Sequence, residues 1–264
     1  MMTDADQTIP SILACDIGNT SVQIACLQGP KTSSIVSFDN SDLSGLGAAL
    51  ATIWSEEMQS AGKIAACSVN PESLAALEAA AESTIKQDVL VIGRDLPLPI
   101  EANLPHPAQI GTDRLCAAAA AFDQLGVACV VADFGSAITI DCVNSDGVFQ
   151  GGAILPGLTM GARSLASQTA MLPEVKITEP DWIYGQDTDQ AIIGGLVHGA
   201  RGALRELVEA YATDMGQWPL VILTGGDARV ICKDVNESDI AQAIVDDLVL
   251  RGVAIAYYKF MLQK

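Results

Sequence analysis

The stretch Leu13-Ala14-Cys15-Asp16-Ile17-Gly18-Asn19-Thr20-Ser21-Val22-Gln23 ends an apolar run on one carboxylate and then turns back. Gly18 lets the backbone reverse, and Asn19 and Thr20 put polar groups at the tip. A carboxylate can hold a hydrated divalent cation, and a glycine-opened turn leaves room for phosphate oxygens at backbone N–H groups. The chemistry suggested is a nucleotide phosphate and its metal. The plainer reading of Asp-x-Gly-Asn is an ordinary hairpin turn.

The plan occurs twice. Val130-Val131-Ala132-Asp133-Phe134-Gly135-Ser136-Ala137-Ile138-Thr139-Ile140-Asp141 again runs an apolar strand into Asp-x-Gly, a small polar residue and a second strand. The two aspartates stand 117 positions apart, near half the chain. That spacing points to a duplicated domain and not to a solenoid, whose units are far shorter. Two such hairpins facing each other would line a cleft with two carboxylates and two glycine turns. This is the architecture of the actin, Hsp70 and sugar-kinase group, with duplicated ribonuclease H-like α/β domains. The expected halves are residues 1–125 and 126–264.

A third group precedes the second hairpin. Pro97, Pro99, Pro105 and Pro107 fix a loop that leads into Gly111-Thr112-Asp113-Arg114 and an alanine-rich run. Alanine favours helix, so this group stands at a helix N-terminus. Asp113 is there either a plain cap stabilised by the helix dipole or a base. A cation in a first turn is unfavourable, so Arg114 pairs with an anion, either Asp113 or a ligand carboxylate. Beyond the second hairpin lies Gly151-Gly152-Ala153-Ile154-Leu155-Pro156-Gly157, read either as a strand end with helix entry or as a pocket wall.

The surrounding elements read as α/β. Strands are expected at 12–17, 22–27, 34–38, 64–69, 89–92 and 220–223, with helices at 43–58, 71–85, 158–169, 189–212 and 240–262. Asn70-Pro71-Glu72 is a helix start, and Asn144-Ser145-Asp146-Gly147 a turn. Gly194, Gly195 and Gly199 suggest close packing of the long helix on another, in this subunit or a partner. His106, His198 and the three tryptophans show no pattern of a reactive or stacking role.

Composition narrows the partners. The chain has 264 residues, 14 Lys and Arg against 32 Asp and Glu, and a net charge of −18. So acidic a protein has little with which to neutralise nucleic acid or an anionic membrane. Seven cysteines without a CxxC or Cys/His cluster read as reduced, buried thiols. The first ten residues do not form a signal peptide, and no apolar run is long enough for a bilayer, so a soluble cytoplasmic protein is expected.

Taken in order, Asp16-x-Gly-Asn-Thr, Gly111-x-Asp113-Arg114, Asp133-x-Gly with Thr139 and Asp141, and Gly151-Gly152-x-Ile154-x-Pro156-Gly157 resemble the type III pantothenate kinases. Tyr184-Gly-x-x-Thr188 and a late Thr-Gly-Gly extend the resemblance over nearly the whole chain. The resemblance implies ATP-dependent phosphorylation of pantothenate, the first step of coenzyme A synthesis, by a homodimer using Mg²⁺ and K⁺ or NH₄⁺. It implies that Asp16, Ile17, Gly18, Asn19, Thr20, Ser21, Val22 and Gln23 form the ATP phosphate loop, with Asp16 meeting Mg²⁺ through water. Asp113 would be the general base, with Gly111, Thr112, Arg114 and Thr188 at the pantothenate site. Asp133 would hold the monovalent cation and Ser136 would meet ATP.

This chain departs from the family's pattern at several places. Leu104 stands where a pantothenate-contacting tyrosine is usual, Ser136 and Ile138 replace threonines, and Asp187 replaces an asparagine. A related kinase with another acceptor and a non-catalytic ATP-binding regulator are the alternatives. Retention of Asp16, Asp113, Arg114 and Asp133 favours catalysis.

Overall fold

The computed structural model describes residues 10–262. The chain opens with strands β1 (Ile12–Ile17), β2 (Ser21–Gln28), β3 (Lys31–Thr32) and β4 (Val36–Asp39), then helix α1 (Leu46–Thr52). Strand β5 (Lys63–Ser68), helix α2 (Pro71–Ile85), strands β6 (Val89–Val91) and β7 (Glu101–Ala102) and helix α3 (Thr112–Leu125) follow. Next come β8 (Cys129–Phe134), β9 (Ala137–Val143), β10 (Val148–Pro156), α4 (Leu158–Gln168) and α5 (Thr188–Met215). The chain closes with β11 (Leu220–Thr224), α6 (Ala228–Ile231), β12 (Ala243–Ile244) and α7 (Leu248–Leu262).

These elements form two compact units. One takes the chain through Pro99, Ala108–Ala120 and everything from Val249; the other takes Ile100–Pro107 and Ala121–Leu248. The last helix therefore belongs with the first unit.

In the first unit the sheet order is β3-β2-β1-β5-β6, with β4 also on β2. β1 is antiparallel to β2 and parallel to β5, and β5 is parallel to β6. Central position explains the unbroken apolar sequence of β1, buried throughout except at Asp16. Leu13, Cys15 and Ile17 pack with Leu50, Trp54 and Leu77 from the helices. Asn70 starts α2 as expected, its side-chain oxygen accepting from the N–H groups of Glu72 and Ser73 at 3.1 Å each.

The second unit repeats the plan. β8 is antiparallel to β9, β9 to β10, and β8 is parallel to β11, which is parallel to β12. β7 adds to the far edge of β10. Phe134, Ile140 and Leu223 from the sheet pack with Val197, Leu204 and Val208 of α5. Both units thus share one strand order, as a duplication requires.

Four sequence expectations change. The helix expected over 240–262 begins only at Leu248. Ile240 and Ile244 have helical spacing, but the segment is extended, and Ile222 and Leu223 of β11 pair there with Ala243 and Ile244. Apolar residues four apart fit either arrangement, and the open edge of β11 decides it. The strand expected at 34–38 is Val36–Asp39, preceded by a short strand beyond Gly29. The helix expected over 43–58 is α1 followed by one π-helical turn, Ile53–Glu57. Of the two packings expected for Gly195 and Gly199, the one within this subunit is absent among the described residues, where nothing lies within 4 Å of a Cβ position.

The glycine stretch of 151–157 is a strand end and helix entry. Gly151 sits at a register shift in β10 with φ +107°, a conformation open to glycine. Gly157 caps α4, and a Cβ there would overlap the carbonyl oxygens of Gly135 and Ser136.

Candidate active site

The first turn is fastened from outside. Gly18 N–H donates to the Ser21 carbonyl at 2.9 Å, closing the β1–β2 hairpin. The Asn40 amide Nδ2 donates to the carbonyls of Gly18 at 3.0 Å and Asn19 at 2.9 Å. Asn40 N–H donates to the Thr20 carbonyl at 2.9 Å. Peptide groups are planar, so holding carbonyls 18–20 also aims the N–H groups of residues 19–21. Asn19 and Thr20 are exposed at the tip, whereas Ile17 and Val22 are buried and Ser21 and Gln23 half-buried.

Asp16, half-buried, lies just before this turn and pairs in the parallel ladder with Cys67 of β5. The Cys67 thiol donates to Asp16 Oδ1 at 3.3 Å. The Cys67 thiol is held well above its ordinary pKa by its bond with Cys116, by burial, and by the charges of Asp16 and then Asp113. One buried sulfur thus bonds to Asp16 and feels the charge of Asp113.

Asp113 is placed by α3. Thr112 Oγ1 accepts from Ser68 N–H at 3.1 Å and donates to the Ser68 carbonyl at 3.2 Å, clipping the helix start to the end of β5. Asp113 Oδ1 accepts from Arg114 N–H at 2.8 Å and lies where a Cβ on residue 111 would stand. That is why glycine precedes it. Arg114 is half-buried beside it in the first turn.

In the second unit, Asp133 pairs with Thr139 in the hairpin and with Thr224 across the parallel ladder. Gly225, at φ +89°, leaves the space beside Asp133 Oδ1, and the N–H of Asp227 donates to the Phe134 carbonyl at 3.0 Å. Ser136 is exposed at the turn, against Gly157 of the α4 start. Asp141 is buried, and Gly152 makes room for its carboxylate.

Thr188 is the first residue of α5 and is exposed. Asp187 is its N-cap, Oδ1 accepting from Gln190 N–H at 2.8 Å. Aspartate and asparagine cap equally well, so this departure from the family pattern keeps the helix start. Leu104 packs over Gly151, its methyl 3.6 Å from the Cβ position.

The structure therefore brings Asp16–Gln23 and Gly111–Arg114 together in the first unit and places Asp133, Ser136 and Thr188 in the second. Asn40 and Cys67 escaped the sequence reading. Their roles depend on pairing across 22 and 51 positions, and no local motif marks either.

Among the described residues no group of three or more His, Cys, Asp or Glu could hold a metal ion. A single carboxylate suits magnesium carried by phosphates and water, which needs no protein cage.

Two units of one topology, each headed by an Asp-x-Gly hairpin, define the duplicated α/β fold of the actin, Hsp70 and sugar-kinase group. The family model of the type III pantothenate kinases matches residues 12–210. A type III pantothenate kinase from Dehalococcoides mccartyi is 32% identical over 255 residues, covering 93% of this chain and 96% of that protein. Another, from Agathobacter rectalis, is 30% identical and covers 94% and 97%. Among solved structures, a Campylobacter jejuni protein named for the Baf family of transcriptional activators aligns at TM-score 0.60 and 21% identity, over 95% of this chain and 99% of that one. The chain belongs to the type III pantothenate kinase family.

Proposed function

We propose that this protein transfers the γ-phosphoryl group of ATP to the primary hydroxyl of pantothenate, giving 4′-phosphopantothenate for coenzyme A synthesis. The observation that carries the reading is the Asp16 carboxylate, held by the buried Cys67 thiol beside the Gly18–Thr20 turn, in one unit with Asp113 at the start of α3. Phosphoryl transfer needs positioning and charge neutralisation, and the two carboxylates divide these tasks.

Asp16 and the N–H groups of the first turn hold the phosphates. Magnesium, when bound, supplies charge neutralisation on the phosphate oxygens. Asp113 takes the acceptor's proton as the new P–O bond forms. Gly111, Thr112 and Arg114 shape the acceptor site, with Arg114 meeting the acceptor's carboxylate and Thr188 also contributing. Thr112 acts through its clip to Ser68, which spends its hydroxyl on the backbone. Asp133 holds a potassium or ammonium ion, and Ser136 meets ATP. The protein works as a cytoplasmic homodimer. No described helix is long and apolar enough to cross a membrane.

Leu104 favours one second reading, a related acceptor with less polar contact at that position. The test is purified protein with Mg-ATP and pantothenate, with and without potassium, scored for 4′-phosphopantothenate. Turnover supports the proposal. Turnover of pantetheine alone moves it to the second reading, and no turnover with nucleotide bound moves it to a regulatory role.

A further inference from the structure

We propose that Cys67 is a positioning residue, fixing the rotation of the Asp16 carboxylate through a thiol hydrogen bond. The inference rests on the kinase reading of the site and deepens it. Cys67 and Asp16 are register partners in adjacent parallel strands, so their side chains leave the sheet on one face. The sulfur lies 3.3 Å from Asp16 Oδ1 and is wholly buried. A thiol carries one proton. Cys67 gives it to Asp16 Oδ1.

Cys116, fully buried on α3 three residues after Asp113, also meets the Cys67 thiol. The bond from Cys67 keeps the Asp16 carboxylate from rotating about its last bond. Serine would keep a donor at this place, alanine would remove it, and valine would fill the space without one.

The experiment compares wild type with Cys67→Ala and Cys67→Ser. Mg-ADP and metal-free ADP are titrated into each by calorimetry, and the Mg²⁺ dependence of phosphorylation and the thermal midpoint are recorded alongside. Loss of one such bond should weaken Mg-ADP binding by about three- to tenfold in Cys67→Ala, leaving metal-free ADP unchanged. Cys67→Ser should return to within about twofold of wild type, whatever its thermal midpoint. Unchanged Mg-ADP binding in Cys67→Ala, or serine as impaired as alanine, overturns the proposal. If Cys67→Ala does not fold, Cys67→Val is read the same way. If wild type binds Mg-ADP yet makes no phosphopantothenate, the kinase reading fails while the calorimetry still judges Cys67.

Discussion

Gly225 and Asp133 are fitted to each other: a side chain at 225 would occupy the place of the Asp133 carboxylate oxygen Oδ1. The backbone there also has φ +89°, which glycine adopts without strain. Gly225→Ala should displace the carboxylate and lower turnover roughly tenfold or more. If Asp133 serves the monovalent cation, the variant should also lose its response to potassium. A variant with a normal potassium response would detach Asp133 from that role.

Asp113→Asn keeps the size of the side chain and its acceptor oxygen toward Arg114 N–H, but removes the base. Turnover should fall by about 10²–10⁴-fold, with Mg-ADP binding and thermal midpoint close to wild type. Steady-state kinetics with calorimetry checks both halves. Near-normal turnover would remove Asp113 from proton transfer.

Asn40→Ala removes two hydrogen bonds from the first turn, to the carbonyls of Gly18 and Asn19. The N–H groups proposed to meet phosphate then lose their fixed direction. We expect KM for ATP to rise by roughly tenfold, with KM for pantothenate much less affected. Equal rises in both constants would show a general loss of structure instead.

Asp227 carries a pH-dependent penalty. Half-burial raises its pKa above the ordinary 3.8 because the charged form is desolvated. The folded state therefore binds this proton more tightly than the unfolded state. Stability is undiminished below the ordinary value and declines as pH rises through the raised one. Asp227→Asn should raise the nucleotide-free thermal midpoint by about 1–3 °C at pH 7, with the gain vanishing toward pH 3.5. A gain of equal size at both pH values would contradict this assignment.

The hairpins and the helix start that carry the proposed site were legible in local sequence. Asp-x-Gly between two apolar runs marks a hairpin wherever it falls, and two copies revealed the duplication. The Gly-Thr-Asp-Arg group announced its helix through the alanines behind it. Asn40 and Cys67 were not legible, because each bonds to residues far off in the sequence, a turn for Asn40 and a strand for Cys67, and neither residue type is unusual where it stands. The strand at Ala243–Ile244 was also hidden. Its apolar spacing matches a helix turn, and only the free edge of β11 chooses the strand.

The first unit draws on the chain through Pro99, on Ala108–Ala120 and on the stretch from Val249, whereas the other unit is complete by Leu248. During synthesis the middle of the chain can therefore finish folding while the earlier-made part still lacks its closing helix. The nascent unit that bears Asp16 and Asp113 waits for α7 to leave the ribosome before its packing is whole. The nucleotide site proposed for that unit would then mature only once this last helix has been made.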